Sequence, residues 1–468
     1  MLHQVLLRHL QTFLARTDER AGSGLPRFVR RELYRYLDCG ILANGFARLH
    51  CAQCGRDELV AFSCKGRGFC PSCCGRRMAG TAMHLADEVL PAVPIRQWVL
   101  SFPYRVRFLL AHDAKLCGAV RRILVRTLLG WLRERAESAG IRAGRSGAVV
   151  VAQRFGSALN LNLHFHALVL DGVYSNASPL ERPVFRRSEP LTDQDVVELT
   201  TRLHRRILRY LSRCGRLPKD EPAGEELQPD EPLLAELYAA SVQGRVAIGE
   251  ESGASVERVG RRRDARPLFL PGELCCHIDG FSLHAKVEIA AHDRDGLERL
   301  CRYLARPPLA TERLSIAKDG RVVYALRRHW KDGTSAVVFD PLDFIARLAA
   351  LVPRPRTHLL TYHGVLAPAA EWRDWIVPGE ASSARREPSQ SLAAEALRPK
   401  PRSTWAELLK RVFEIDVLTC PWCGGKRKLI ALLTDGKVVR RILEHLGLPT
   451  TAPTLAPARS PPEFEFVG

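Results

Sequence analysis

Apolar residues in the opening stretch MLHQVLLRHLQTFLAR recur at helical spacing, interrupted by His3, Arg8 and His9. That pattern predicts an amphipathic helix and not an export signal. From about residue 95 the period changes repeatedly. Ile95–Phe102 is a short apolar run stopped by Pro103 and reads as a buried strand; Ala114–Ala139 has helical spacing; Gly147–Gln153 is β-branched and strand-like. A further strand is expected over 157–170 and a helical, arginine-heavy stretch over about 192–243, followed by a basic turn at Arg261, Arg262 and Arg263. Phe281–Ala290 alternates as one strand, and Asp295–Ala305 is helical until Pro307 and Pro308 stop it. Residues 376–403, rich in Pro, Ser, Ala and charge, read as a linker, and the Pro-rich tail reads as loose.

The expected division is therefore 1–92 for N-terminal helices and a cysteine-rich module, and 93–345 for a central α+β domain with a helical basic insertion at about 190–245. A connecting segment and linker over 346–403 and a small C-terminal unit with its tail over 404–468 complete it. The 468 residues carry 70 Lys and Arg against 51 Asp and Glu, a net charge of +19, which favours a polyanionic partner and makes nucleic acid the leading one. No window approaches 18 uncharged apolar residues, so a membrane partner is not expected.

Fourteen cysteines without an export signal favour metal thiolates over disulfides. Cys51, Cys54, Cys70 and Cys73 form two Cys-x2-Cys pairs fifteen residues apart, a spacing that offers four thiolates to one structural Zn²⁺. Cys39, His50, Cys64 and Cys74 stand nearby as further or substitute ligands. Lys65, Arg67, Arg76 and Arg77 surround the pairs and favour a module that grips phosphates over a purely structural one. A second pair, Cys420 and Cys423, supplies half a zinc shell, with Cys275, Cys276 or His445 as candidate partners, or no metal at all.

In Asn160–Ala167 a strand would turn Asn160, Asn162, His164 and His166 to one face and its apolar residues to the other. The strand at 281 has the same grammar, with His284, Lys286 and Glu288 on the polar face, and pairing of the two strands would let His284 complete a three-ligand site. An incidental surface strand is the plain alternative. In the helix that follows, Tyr303 lies off the apolar stripe of Leu297, Leu300, Cys301 and Leu304, beside Arg299, Arg302 and Arg306, which could hold a phosphate for attack by the phenol. A tyrosine capping a solvated basic face is the alternative, and Tyr210 is a second candidate.

The motifs CAQC with SCKGRGFCPSC, RQWVLSFP, NLHFHALVLDG, LCRYLARPP, YHGVLAP and CPWCGG together resemble the rolling-circle insertion-sequence transposases of the His-hydrophobic-His (HUH) class, specifically the IS ninety-one group with a zinc-binding N-terminal domain. The resemblance implies a palm-like antiparallel sheet flanked by helices, and His164 and His166 on a divalent ion, Mg²⁺ or Mn²⁺. It implies Tyr303 as a nucleophile that cuts single-stranded DNA to a 5′-phosphotyrosine and a free 3′-hydroxyl. Some relatives carry a second tyrosine four residues on; Pro307 stands there, which resembles the single-tyrosine branch.

The function expected is a DNA transposase acting on single-stranded or hairpin ends, in the bacterial cytoplasm at the nucleoid, with a homodimer or reuse of Tyr303 serving the second cleavage. The rivals are a zinc-ribbon DNA-binding regulator without chemistry and a metal-dependent phosphodiesterase that uses water.

Overall fold

The computed structural model describes residues 1–21, 24–178, 181–217, 231–249, 251–261, 272–378 and 418–459. Helices α1 (Leu2–Ala21) and α2 (Arg27–Leu37) open the chain, followed by the hairpin β1 (Phe46–Cys51) and β2 (Asp57–Ala61) and by α3 (Pro71–Met83). The central region runs β3 (Ile95–Ser101), α4 (Tyr104–His112), α5 (Ala114–Ser138), β4 (Gly147–Phe155) and β5 (Leu161–Leu170). A small hairpin of β6 (Gly172–Ser175) and β7 (Val184–Arg187) precedes α6 (Asp193–Arg213) and α7 (Pro232–Gln243). Then come β8 (Glu257–Val259), β9 (Cys275–Ile278), β10 (Phe281–His284), β11 (Glu288–Ile289), α8 (Arg294–Ala305), β12 (Leu314–Ile316), β13 (Val322–Ala325), β14 (Ala336–Phe339), α9 (Pro341–Leu351) and β15 (Leu360–Gly364). Strand β16 (Arg427–Leu433) and a helix, Gly436–His445, lie near the C-terminal end.

The architecture is α+β. The central sheet has the order β15-β4-β5-β3-β10-β9, with β11 also on β3, and every pairing is antiparallel. One face packs on α4, α5 and α6 through Trp98, Leu100, Val150, Leu163 and Phe165. The other is covered by α8 and by residues 82–90, through Ile95, Val149, Val151, Leu168 and Leu170 against Leu297, Cys301 and Leu304. A third core joins α1, α2, α7 and α9 to the small sheet β12-β13-β14-β8. Among the described residues no helix is long and apolar enough to cross a membrane.

The burial of β5 explains the position of the functional face. Leu161, Leu163 and Phe165 are buried and Asn162 and His164 half-buried, but from Phe165 to Leu170 every residue is buried. Alternation ends where α8 covers the second face, because a strand covered on both sides has no wet positions. The polar residues of β5 therefore sit at the margin of that cover.

Several expectations need correction. The strand expected over 157–170 starts at Leu161, and Phe281–Ala290 is not one strand but two short ones, β10 and β11. The break turns Glu288 away from His284: Glu288 pairs with Arg96 at 2.5 Å and with Arg187 at 2.6 Å, while Lys286 pairs with Glu273 at 2.7 Å. The first 92 residues share a core with α7 and α9, so the N-terminal helices pack as part of the main body. The tail is tied down as far as described: the Ala456 amide donates to the Leu7 carbonyl at 2.9 Å and the Arg459 amide to Thr12 Oγ1 at 3.1 Å. Arg262, Arg263, Trp405 and nearly all of the 376–403 linker fall outside the described residues.

Candidate metal centres and the histidine-tyrosine cavity

The cysteines form two sets, and neither is the set that spacing suggested. Cys39, Cys64, Cys70 and Cys73 gather in one, Cys51, Cys54, Cys420 and Cys423 in the other, with all four sulfurs of each set within 4.8 Å of one another. The two N-terminal Cys-x2-Cys pairs thus go to different centres. The first centre has S···S separations of 3.5 to 3.8 Å, and the second has 3.5 Å for Cys51 to Cys423 and 3.6 Å for Cys54 to Cys420. Four thiolates about 2.3 Å from a tetrahedral zinc stand roughly 3.8 Å apart, so both sets fit Zn²⁺.

The cause of the exchange is tertiary. Strand β16 adds antiparallel to β1, with Cys51 opposite Arg427, which carries the Cys420 knuckle to the Cys51 knuckle. Cys64 and Cys39 complete the other pair from the end of the β2 hairpin and from the end of α2. Cys275, Cys276 and His445 are not ligands of either set, nor are His50 and Cys74; the His50 ring meets Asp57 at 2.7 Å instead. Hydrogen bonds from its crowded neighbours, Cys64 first, pull the Cys39 thiol down to about 7.

The basic residues around the first centre divide. The Arg77 guanidinium donates to the Gly66 carbonyl at 3.1 Å, and Arg67 Nη2 to the Thr357 carbonyl at 2.8 Å. Arg76 donates to Ser63 Oγ at 3.1 Å and, with Lys65, lines a separate hollow that reaches Pro307.

The histidines occupy the open end of the central sheet. Their floor comes from three strands: His166, Val99 and His284 lie in one row across β5, β3 and β10, and His164, Ser101 and Ser282 in the next. Strand β3 therefore separates the two histidine strands, which do not pair. Strand spacing near 4.8 Å puts His284 about 10 Å of backbone from His166, and His284 is absent from the tight ligand groups among the described residues.

His164 and His166 are neighbours, ring centroids 4.8 Å apart. His164 Nδ1 lies 2.8 Å from the Asn162 carbonyl, which can only accept, so Nδ1 donates and Nε2 carries the lone pair. His166 Nδ1 lies 2.8 Å from the Gln97 side-chain nitrogen, which can only donate; turning that amide to place its oxygen there lets Nδ1 donate and frees the Nε2 lone pair, and Nε2 is buried without a partner, as is Asn162 Oδ1. Burial pulls the His164 pKa down to about 4 and that of His166 to about 3, so both rings are neutral, the state a metal requires.

Helix α8 brings Tyr303 to this floor. Asp293 caps its first turn through the Gly296 amide at 2.7 Å, and Pro307 and Pro308 follow its end. Gln153 of β4 donates to the Leu304 carbonyl at 3.2 Å, which satisfies a group in the last turn and ties the helix to the sheet. The Tyr303 ring is 41% exposed, and its centroid lies 5.9 Å from that of His166 at right angles.

Of the three expected arginines, only Arg306 joins the phenol, with its guanidinium 4.2 Å from the ring centroid. Arg302 turns to Glu298 at 2.7 Å and Arg299 toward Asp293 at 3.9 Å. Tyr210 sits on α6, on the opposite face of the sheet. The cavity over the histidines measures about 880 Å³, and Arg313, Arg327, Arg328, His329 and Trp330 form its far wall. Among the described residues no carboxylate lines it. These wall residues had no sequence signal, because the hairpin β13-β14 reaches the site only through tertiary packing. Gln97, a lone amide in an apolar strand, was the legible one.

Two family models match the chain. Residues 5–102 match the model described as "Transposase zinc-binding domain", of the IS91 type, and residues 147–373 match the model described as "Putative transposase". The chain is a transposase, an enzyme class that processes DNA. More particularly, it belongs to the zinc-binding transposases of the IS91 type. No curated protein and no solved structure gives a match.

Proposed function

We propose that this transposase cuts and rejoins single-stranded DNA, with Tyr303 as nucleophile and a divalent cation held by His164 and His166. The carrying observation is the juxtaposition of an exposed phenol with one buried and one half-buried neutral imidazole in a cavity that, among the described residues, no carboxylate lines. The residues fit a cation: His164 presents Nε2, His166 Nε2 and Asn162 Oδ1 are buried and unpartnered, and the amide oxygen is the harder ligand that Mg²⁺ or Mn²⁺ prefers. When bound, such an ion draws charge from the non-bridging oxygens of a phosphodiester.

The chain's own groups supply the rest. Tyr303 Oη gives up its proton to solvent and attacks phosphorus in line, the bond to the 3′-oxygen breaks, and that oxygen leaves and takes a proton from solvent as a 3′-hydroxyl. The 5′-phosphate stays on Tyr303 as an ester. Ester exchange preserves the bond type, so a 3′-hydroxyl can later reverse the step without a nucleotide cofactor. Arg306 stacks on the Tyr303 ring and supplies positive charge beside the phosphate. Arg299 and Arg302, engaged with carboxylates, have no direct part, and His284 lines the cavity as a contact for substrate.

Mass spectrometry of the protein after incubation with single-stranded oligonucleotides and Mn²⁺ tests this. An oligonucleotide on the Tyr303 peptide, lost in Tyr303→Phe, is expected. Cleavage that survives Tyr303→Phe would instead identify a water-using phosphodiesterase, and binding without cleavage by wild type a regulator.

A further inference from the structure

Beside the histidine cavity lies a second, smaller one of about 410 Å³, between the first cysteine centre, the edge of β4 and the segment before β15. Its cations are Arg67, Arg77, Arg154, Arg306 and Arg356, and among the described residues no carboxylate lines it. Five guanidinium groups converge here and Glu32, beside Arg67, is the acidic group that acts on them, so the excess of positive charge favours an anion. The remaining wall is apolar, with Val151, Leu304, Leu351 and Leu360. Two polar atoms here are buried and unpartnered, Gln153 Oε1 and Thr357 Oγ1. A buried acceptor and a buried hydroxyl with nothing to bond are costly unless a ligand satisfies them.

Three further facts connect this cleft to the cutting site. Phe155 and Arg306 line both cavities. The Arg306 guanidinium stands between the Phe155 ring, 5.5 Å from its centroid, and the Tyr303 ring at 4.2 Å. On its outer edge β4 pairs with β15 only from Gly147 to Val151, with one further bond from the Ala152 amide to the Leu359 carbonyl, and beyond it Gln153 and Phe155 border the cleft.

We propose that this cleft is a nucleotide site, in which one unstacked nucleotide of the substrate strand, next to the phosphate at Tyr303, places its base on the apolar wall and its phosphate among Arg67, Arg306 and Arg356. The volume suits a single nucleotide, and the wall combines the apolar surface and few polar groups typical of such sites. The zinc module thereby contributes to the substrate site through Arg67 and Arg77 and does more than brace the fold. This rests on single-stranded DNA being the substrate.

The test uses full-length Tyr303→Phe protein and compares its affinity for a fluorescein-labelled dT20 strand with that for a 20-unit abasic strand, as a function of salt. Two changes address the site. Arg356 has a backbone φ of +58°, so Arg356→Gly removes the cation at a position whose conformation suits glycine. Leu360→Trp fills the apolar wall, and Thr357→Val, which preserves volume, takes its place if Leu360→Trp unfolds.

Arg356→Gly is expected to lower the slope of log affinity against log salt by about 1 for both strands. Leu360→Trp is expected to cut the preference for dT20 over the abasic strand roughly tenfold. An unchanged slope, or an unchanged preference in a folded wall variant, overturns the proposal. So does a result in which thymidine monophosphate binds but does not compete with dT20, since the site would then serve free nucleotides. A missing Tyr303 adduct with a base preference that the wall variants abolish sinks the proposed reaction alone, and a normal adduct with a flat preference sinks the nucleotide site alone.

Discussion

The cysteine centres and the histidine face are both clusters of metal-ligating side chains, and they are built in opposite ways. In each centre four sulfurs lie within 4.8 Å, a closed set with no position left for a substrate. The histidine face is left unfinished: His166 Nε2 and Asn162 Oδ1 have no partner, and an exposed phenol stands opposite. Closed shells belong to sites whose metal replaces a core, and open shells to sites that bind something else. The contrast predicts that loss of the two kinds of ligand will differ greatly in its consequence for stability.

The largest effect is expected at the first cysteine centre. Cys73→Ala removes a buried ligand from a cluster whose buried members are cysteines, with Tyr36 and Cys39 packed against them. Structural zinc contributes an apparent ~10–16 kcal/mol to folding in small modules, so this variant should melt far below wild type and its zinc content, measured by native mass spectrometry, should fall from two ions per chain to one. Retention of both ions would break the assignment of Cys73.

Next is the second centre. Cys423→Ser should also lose one zinc ion, but the damage should be confined to β16 and the exposed C-terminal unit, because the small core there involves Phe46, Val439 and Leu443 alone among buried residues. The central sheet should melt as in wild type, read by two separate transitions in calorimetry. Loss of a single transition for the whole molecule would show that the unit is more deeply coupled than its contacts suggest.

At the histidine face the loss is small. A buried nitrogen without a partner costs about 1–3 kcal/mol, and removing it offsets the lost Nδ1 bond to Gln97, so His166→Leu should keep the melting temperature of metal-free protein close to that of wild type while abolishing strand cleavage. A melting temperature as low as that of Cys73→Ala would mean that the imidazoles hold the fold together, and the distinction between closed and open clusters would fail.

Much of this contrast was legible in the chain, for a physical reason that also marks its limits. The period of two in β5 reports its own two faces, so the neighbourhood of His164 and His166 is a local property. The same holds for α8, where helical spacing alone places Tyr303 off the buried stripe. Metal sets and basic clusters are not local. Cys420 and Cys423 meet Cys54 and Cys51 across 366 and 372 residues because β16 joins β1, and no spacing within the N-terminal module encodes that. His284 has the right grammar but the wrong neighbour, since β3 lies between it and His166. Arg299 and Arg302 have the right spacing, but Asp293 and Glu298, one turn or so earlier on the helix, attract them first.

The smallest prediction concerns the strain that a closed centre imposes on its own backbone. Lys65 follows a ligand, Cys64, and is held at φ +55°, in the left-handed region that a residue with a Cβ enters at a cost. The Gly66 amide donates to the Cys64 sulfur at 3.3 Å, so the turn at Lys65 is what directs that N–H to the thiolate. Glycine avoids a steric penalty of roughly 1–2 kcal/mol but loses about 0.4–1 kcal/mol more in entropy on folding, so the difference favours it by about 1 kcal/mol. Lys65→Gly should therefore raise stability in chemical denaturation slightly and keep both zinc ions. The side chain is exposed and Arg77 bonds the Lys65 backbone carbonyl, so neither contact opposes the change. A loss of zinc in this variant would show that the Lys65 ammonium is needed to balance four thiolates, and the first centre would be less self-sufficient than its closed shell implies.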